Sequence, residues 1–524
     1  MYYYFSSYTR STKNSNAYFL IPLKVEFIAW CAHIVILLKL IRYEYRSVVM
    51  TMEFKEKDLD LQNIITDEVN KYLKRDLSTL PASRVASPEL INKYEKMEVP
   101  EDGRDIYEIL NELDSEILEY IHRGNHPRSF SFIPGPGSRL SWLGDILTTA
   151  NNIHASNFKN ANLPISIERN LINYFAGKLG WPIKPAGGVF VSGGSAANLT
   201  ALVTARDEKI ELKDLHKATV YISDQVHHSV TKAFHIAGFL KKNIRRVPVY
   251  EDFKIRVDEL DKIIKQDKKD GFIPVVVVAT AGTTNTGAVD DLNAVADVCE
   301  SHDTWLHVDG AYGLSHLLSS KGRDLFPGIE RVDSVSWDAH KLLFQTYSCA
   351  MVIVKEKQHM LNSFSEEAEY LTDVQSDDDV IDPEMIGMEL TRPARALKLW
   401  ITLQVLGESQ FRARIDYGQQ LAEFTESVVE EMEHWKITSK ASLSILSFKY
   451  THPKLTAAQN NKVLSNAAQR MASSGYAVTY TTELNKEKVI RMCTINPATT
   501  KDDIIGTLNR LNEFVIDEVE NVRK

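Results

Sequence analysis

Between about Pro182 and Lys355 the chain alternates short runs rich in β-branched residues with stretches whose apolar residues fall at helical spacing. The runs read GGVFVSGG, ATVYISD, PVVVVATAGTT, TWLHVDGAYG, DSVSWDAHK and CAMVIVK. Strands this continuously apolar have no face to show to water, so they demand a parallel-dominated sheet with helices on both sides. The expected class is therefore α/β. In open sheets of that class, ligands bind beyond the carboxyl ends of the strands.

At ~150 residues per domain, 524 residues suggest about three domains, or two with one large. Residues 53–145 carry charged residues among spaced apolar ones, as in IYEILNELDSEILEYI, and read as a helical segment. The large α/β domain is expected over 146–395. In 396–524, a linking helix, ARALKLWITLQVLG (394–407), leads into a smaller α+β domain. Its pieces are SILSFKY, a helix around 455–474, YAVTYTTEL, VIRMCTI and a last helix near 500–522. Residues 1–52 are an extension of uncertain status. Within them VEFIAWCAHIVILLKLI, broken by Glu26, His33 and Lys39, falls short of the ~20 apolar residues a spanning helix needs, and no small-x-small cleavage site follows it. A membrane is not an expected partner.

With 61 basic and 70 acidic residues the net charge is −9, which supplies no footprint for nucleic acid. The four cysteines, Cys31, Cys299, Cys349 and Cys493, form no C-x-x-C pair for zinc or dithiol chemistry and fit a reducing compartment, the cytoplasm.

Four motifs fall at strand ends. In VFVSGGSAANLTAL the turn Ser192–Ser195 opens a helix without side-chain bulk, so backbone N–H groups and the helix start can meet an anion such as phosphate. It lacks the GK[ST] of a nucleoside-triphosphate loop and the GxGxxG of a dinucleotide fold. On its own, such a turn is as often plain structure. Asp309 in HVDGAYG reads as a helix cap, a metal ligand or a partner for a protonated ring nitrogen; no second carboxylate or spaced histidine pair supports the metal. Lys341 in WDAHKLL is either a solvated amine or, given apolar neighbours, a desolvated nucleophile. His227 and His228 in SDQVHHS read as packing or capping residues, or as a flat ring against a planar cofactor. Phosphate cradle, carboxylate for a ring nitrogen and imine-forming lysine together are what pyridoxal 5′-phosphate requires.

These segments resemble those of the group II pyridoxal-phosphate-dependent amino-acid decarboxylases. The resemblance runs from about residue 100 to the C-terminus through HPRSFSFIPGPGS, GGVFVSGGSAANLTALVTAR, SDQVHHS, AGTTNTGAVDDL, WLHVDGAYG, DSVSWDAHK, EAEYL, RALKLW and RMCTINPATT. It implies the fold type I (aspartate-aminotransferase-like) architecture, with a large, mostly parallel seven-stranded sheet, and a homodimer with active sites at the subunit interface. It also implies that Lys341 is the Schiff-base lysine, Asp309 the partner of the pyridine nitrogen and His227 the ring-stacking histidine. Gly194, Ser195 and His340 fall on phosphate-binding positions, and Thr284 and Ala311 lie near the ring. Tyr370 matches the tyrosine that protonates the substrate carbon, and Arg491 an arginine that meets a substrate carboxylate. Asp338 and Ala339 depart from the Asn-Pro that many relatives carry before His-Lys.

Phe132, Ile133 and Pro134 would line the substrate side chain, which favours an aromatic L-amino acid, as in bacterial aromatic-amino-acid decarboxylases. Glutamate, cysteine sulfinate and 2,4-diaminobutyrate are the alternative substrates. A lyase on the same fold, or a non-catalytic cofactor-binding relative, is the alternative activity.

Overall fold

The computed structural model describes residues 59–365 and 381–523. Two units separate, Met1–Asp76 and Leu77–Lys524. In the first, helix Leu61–Lys74 begins at Asp60, whose carboxylate accepts the Asn63 N–H. The apolar run Val25–Ile41 lies outside the described residues.

The second unit is built on a sheet of seven strands: β1 (Gly187–Val191), β2 (Ala218–Ser223), β3 (Ile244–Val247), β4 (Ile273–Thr280), β5 (Trp305–Asp309), β6 (Ser334–Asp338) and β7 (Ala350–Val354). Their order is β1-β7-β6-β5-β4-β2-β3. Only β7 runs antiparallel to its neighbours, so β1 points the same way as the rest. This is the expected α/β architecture with a large, mostly parallel sheet.

Alternate residues serve two cores because side chains on a strand leave it on opposite faces. On one face Tyr221, Val277, Leu306, Val335 and Ile353 pack with Phe175, Leu292 and Phe411. On the other, Val220, Val278 and Val352 pack with Ala201 and Phe234. Six of the strands carry the apolar runs. The seventh, β3, reads IRRV, and its arginines are tolerated because it is an edge strand.

A second sheet, all antiparallel and ordered β10-β11-β9-β8, contains β8 (Trp435–Ser442), β9 (Ile445–Tyr450), β10 (Thr481–Leu484) and β11 (Glu487–Cys493). Helices Ala457–Ser474 and Lys501–Arg523 cover it. The linking helix runs far past residue 407, as Ala396–Glu431, broken at Gly407. The strand expected across YAVTYTTEL is shorter because residues 128–130 occupy the hydrogen-bonding groups of Val478: Val478 N donates to Arg128 O and Phe130 N to Val478 O. That pairing brings the segment after His126 alongside both sheets' connections.

Among the described residues, no helix is long and apolar enough to cross a membrane.

Candidate active site

Register decides which strand ends meet. Thr280 pairs with Asp309 and Asp309 with Ser336, while Val191 and Asp338 flank Ala350 on its two sides. The Ser192–Ser195 turn and the DAHK segment thus leave the same sheet edge two strands apart.

Asp309 ends β5 and is 6% exposed. Its Oδ1 accepts Ala311 N (3.2 Å) and Ser336 Oγ (3.1 Å), and its Oδ2 accepts Asn198 Nδ2 (3.2 Å). A chain of donors orients that amide. Trp305 Nε1 donates to Ser334 Oγ, Ser334 Oγ pairs with His307 Nδ1, and His307 Nε2 donates to Asn198 Oδ1, each at 2.8–2.9 Å. Burial pushes the His307 imidazole down, so the neutral ring passes a hydrogen bond along while adding no charge. Asn198 Nδ2 also reaches Ser229 Oγ (3.2 Å), which pairs with His227 Nδ1 at 2.8 Å.

His227 caps helix His228–Ile236 by accepting Ser229 N at Nδ1, which leaves its N–H on Nε2. Burial lowers its pKa, with Asp309 opposing. His228 beside it is exposed. Asn198, His307, Ser229 and Ser336 are site residues the motif reading passed over. Their signal in the sequence is a polar side chain inside a buried apolar run.

Helix Gly194–Lys209 begins without a side-chain cap, because Gly193 holds the capping position. A Cβ at Gly194 would stand 3.0 Å from Ala311 Cβ and from Asp338 Oδ2, so the turn is a cradle that only glycine leaves open. Asp338 ends β6 at 2% exposure. Its Oδ2 lies 3.5 Å from Lys341 Nζ and 3.4 Å from His340 Nε2, while Oδ1 is buried without a partner. The Lys341 side chain keeps 19% exposure between the buried Ala339 and Leu342. Burial holds the His340 imidazole below its usual range, with Asp338 opposing.

The loop from Phe132 to Gly135 closes against this segment. Gly135 N donates to His340 O (3.1 Å), and a Cβ on Gly135 would meet Lys341 O at 2.0 Å. Phe132 is exposed, with its ring edge-on to His122 (4.9 Å) and Tyr480 (5.9 Å). Ile133 is buried in the larger core, and Pro134 is half-buried. Arg491 of β11 donates to Thr284 O (3.0 Å) and to Ser131 O, tying three distant segments together. Tyr370 lies outside the described residues.

These residues fit pyridoxal 5′-phosphate. A glycine cradle opens at a helix start, an anchored carboxylate can face a ring nitrogen, a primary amine stands nearby, and one buried carboxylate oxygen awaits a partner. Among the described residues no group of three or more His, Cys, Asp or Glu could hold a metal ion.

Comparison with known proteins agrees with that fit. The family model described as the pyridoxal-dependent decarboxylase conserved domain matches residues 88–451. An aromatic-L-amino-acid decarboxylase of Bacillus atrophaeus is 35% identical over 461 residues, 88% of this chain and 95% of that protein. A human acidic amino acid decarboxylase is 28% identical over 454 residues, covering 83% and 85%. Among solved structures, Catharanthus roseus tryptophan decarboxylase in complex with L-tryptophan superposes with a TM-score of 0.81 at 25% identity, over 89% of this chain and 99% of that one.

Proposed function

Because the chain belongs to the pyridoxal-dependent decarboxylase family, it is a pyridoxal-5′-phosphate-dependent carboxy-lyase of an amino acid, and we propose that this amino acid is aromatic. The observation that carries the proposal is the aromatic group His122–Phe132–Tyr480, beside the loop that packs onto Lys341. The 35% identity to an aromatic-amino-acid decarboxylase, against 28% to the acidic one, points the same way.

In this reading Lys341 is the amine that anchors the cofactor, Gly194, Ser195 and His340 receive its phosphate, and Thr284 and Ala311 line its ring. When bound, the pyridinium ring supplies the sink for the electron pair left as carbon dioxide departs. Asp309 keeps a proton on the ring nitrogen, and the donors on both its oxygens hold it in one orientation for that task. His227 stacks on the ring, its tautomer set by Ser229. The free N–H groups of Arg491 meet the α-carboxylate, and Tyr370 returns a proton to the α-carbon.

We place this chemistry in a cytoplasmic homodimer. Tyr107, Ile109, Ile117, Tyr120 and Ile121, close together in sequence, are each exposed on one chain, which supports their burial against a second copy. The three described cysteines are free and buried, as suits a reducing compartment.

Incubation with pyridoxal phosphate and single amino acids, with the amines identified, tests the substrate. Tyrosine, tryptophan, phenylalanine or dihydroxyphenylalanine should give amine and carbon dioxide faster than glutamate, cysteine sulfinate or 2,4-diaminobutyrate. Faster turnover of any of the latter group overturns the aromatic assignment.

A further inference from the structure

Among the described residues, Asp338 Oδ1 is the one carboxylate oxygen that is buried with no partner. Its surroundings explain what it lacks. Oδ2 faces Lys341 Nζ at 3.5 Å and His340 Nε2 at 3.4 Å. His340 Nδ1 accepts the Cys349 N–H (3.4 Å), so the ring's own hydrogen sits on Nε2, toward Asp338. A second proton on that ring would confront the Cys349 N–H donor against donor. His340 is thereby kept from neutralising Asp338 with a full charge.

Other groups do no better. His227, from the end of β2, feels Asp338 across the site, but burial keeps it below its usual range. Cys349, at the start of β7, has its thiol pushed up to about 12 and stays neutral. Beyond His340, Lys398 and Asp145 are paired with each other at 2.8 Å. Lys341 is the single cation in contact, and it is the amine the cofactor takes. On the open side, a Cβ at Gly194 would touch the two Asp338 oxygens at 3.0 and 3.2 Å, so the carboxylate abuts the first residue of the helix whose N–H groups open into the turn. A phosphate there would set two like charges against each other in a site with little water to screen them.

We propose that Asp338 takes up a proton from solvent as the cofactor's phosphate binds, and that Oδ1, bare in the free protein, becomes the O–H that donates to that phosphate. Asp338 is thus a positioning residue that couples cofactor retention to pH. The inference rests on the assignment of the phosphate to the Ser192–Ser195 turn.

The test uses the full chain, freed of cofactor and titrated with pyridoxal 5′-phosphate, whose carbonyl engages Lys341 in wild type and variant alike, so that any proton released by that amine cancels in the comparison. Calorimetry in two buffers of different ionisation enthalpy counts the protons taken up. The wild type should take up about one proton more than Asp338→Asn, because the asparagine amide donates without one. Its affinity should also fall by about tenfold per pH unit above that of the optimum, relative to the Asp338→Asn protein. Asp338→Ala, which offers no donor, should lose the extra uptake and bind more weakly than Asp338→Asn. If either variant fails to fold, the other and the wild-type pH profile still decide.

Binding with equal proton counts in wild type and variant, or a wild-type affinity that does not fall with pH, overturns the role of Asp338 alone. Failure of the wild type to bind the probe at any pH overturns the phosphate assignment, and this inference with it.

Discussion

Asp309 and Asp338 end adjacent strands and are both buried, yet the chain treats their carboxylates in opposite ways. Asp309 receives donors on both oxygens and is fixed in place, whereas Asp338 keeps one oxygen bare next to the cradle. Fixed charge suits a group that must hold a proton on its partner, and an open oxygen suits one that must change state. Gly135 shows how closely the same site is built. A methyl group there would stand 2.0 Å from Lys341 O, where about 3.0 Å is the least that real contacts allow, so the Lys341 segment or the loop must yield. A shift of about 1 Å at a reacting group costs on the order of 100-fold in rate. Gly135→Ala is therefore expected to lower kcat/KM by roughly that factor, while overpacking costs about 1–3 kcal/mol of stability. Steady-state kinetics beside a urea titration checks both, and unchanged kinetics would remove the loop from the site.

Gly407 interrupts helix Ala396–Glu431 with φ 69° and ψ 163°, a region closed to other residues, although a Cβ there would touch nothing within 4 Å. Backbone strain alone therefore sets the outcome of Gly407→Ala. In an ordinary helix interior the change would stabilise by about 0.5–1 kcal/mol. Here it should destabilise by about 1–3 kcal/mol, and a urea midpoint moving upward would show that the break is not required. The sequence shows Gly407 as the end of the helix ARALKLWITLQVLG; its resumption as far as Glu431 is not legible there, because a glycine after an apolar helical run is the ordinary mark of a helix end. Strands show the same division. The six runs of the larger sheet were legible because burial on both faces leaves mostly apolar residues, and this holds even for β1 at one edge of that sheet. The edge strands β3 (IRRV) and β8 (WKITSKAS) mix charge with apolar residues, since one side of each meets water, and neither stands among the strands expected from the sequence. At the site, Asp309, Lys341, His227 and the Gly194 turn could be read because each stands at a strand end. The links through Asn198, Ser229 and His307 depend on strand order, which no local pattern encodes.

Taken whole, the molecule stores neutral histidines in its interior, and that sets how it responds to acid. Burial pushes the imidazoles of His126 and His316 down to about 4, and lowers those of His307, His122, His227 and His340 as well. Unfolding returns each to about 6.5, so between those values the unfolded chain binds protons that the folded chain refuses. Stability from these groups is fully present above about pH 6.5 and is lost as the pH falls toward 4. Asp290 acts in the opposite sense. Its carboxylate is buried on the N–H groups of Ile255 and Thr280, and burial raises its pKa to about 6, so the folded chain holds a proton there that the unfolded chain releases. Near pH 5 the lowered histidines, joined by carboxylates their partners hold low such as Asp261 and Asp503, oppose Asp290, Asp333 and Asp382, whose carboxyls burial raises. The net excess of protons therefore lies with the unfolded chain, and each excess proton is worth about 1.4 kcal/mol per pH unit. Urea unfolding of the cofactor-free protein at fixed concentration should show its midpoint falling from pH 7 to pH 5. Replacing His316 by phenylalanine should flatten the fall, because the titrating group goes while the buried volume stays filled. A midpoint that holds steady or rises on acidification would mean that these rings already carry their protons in the folded chain.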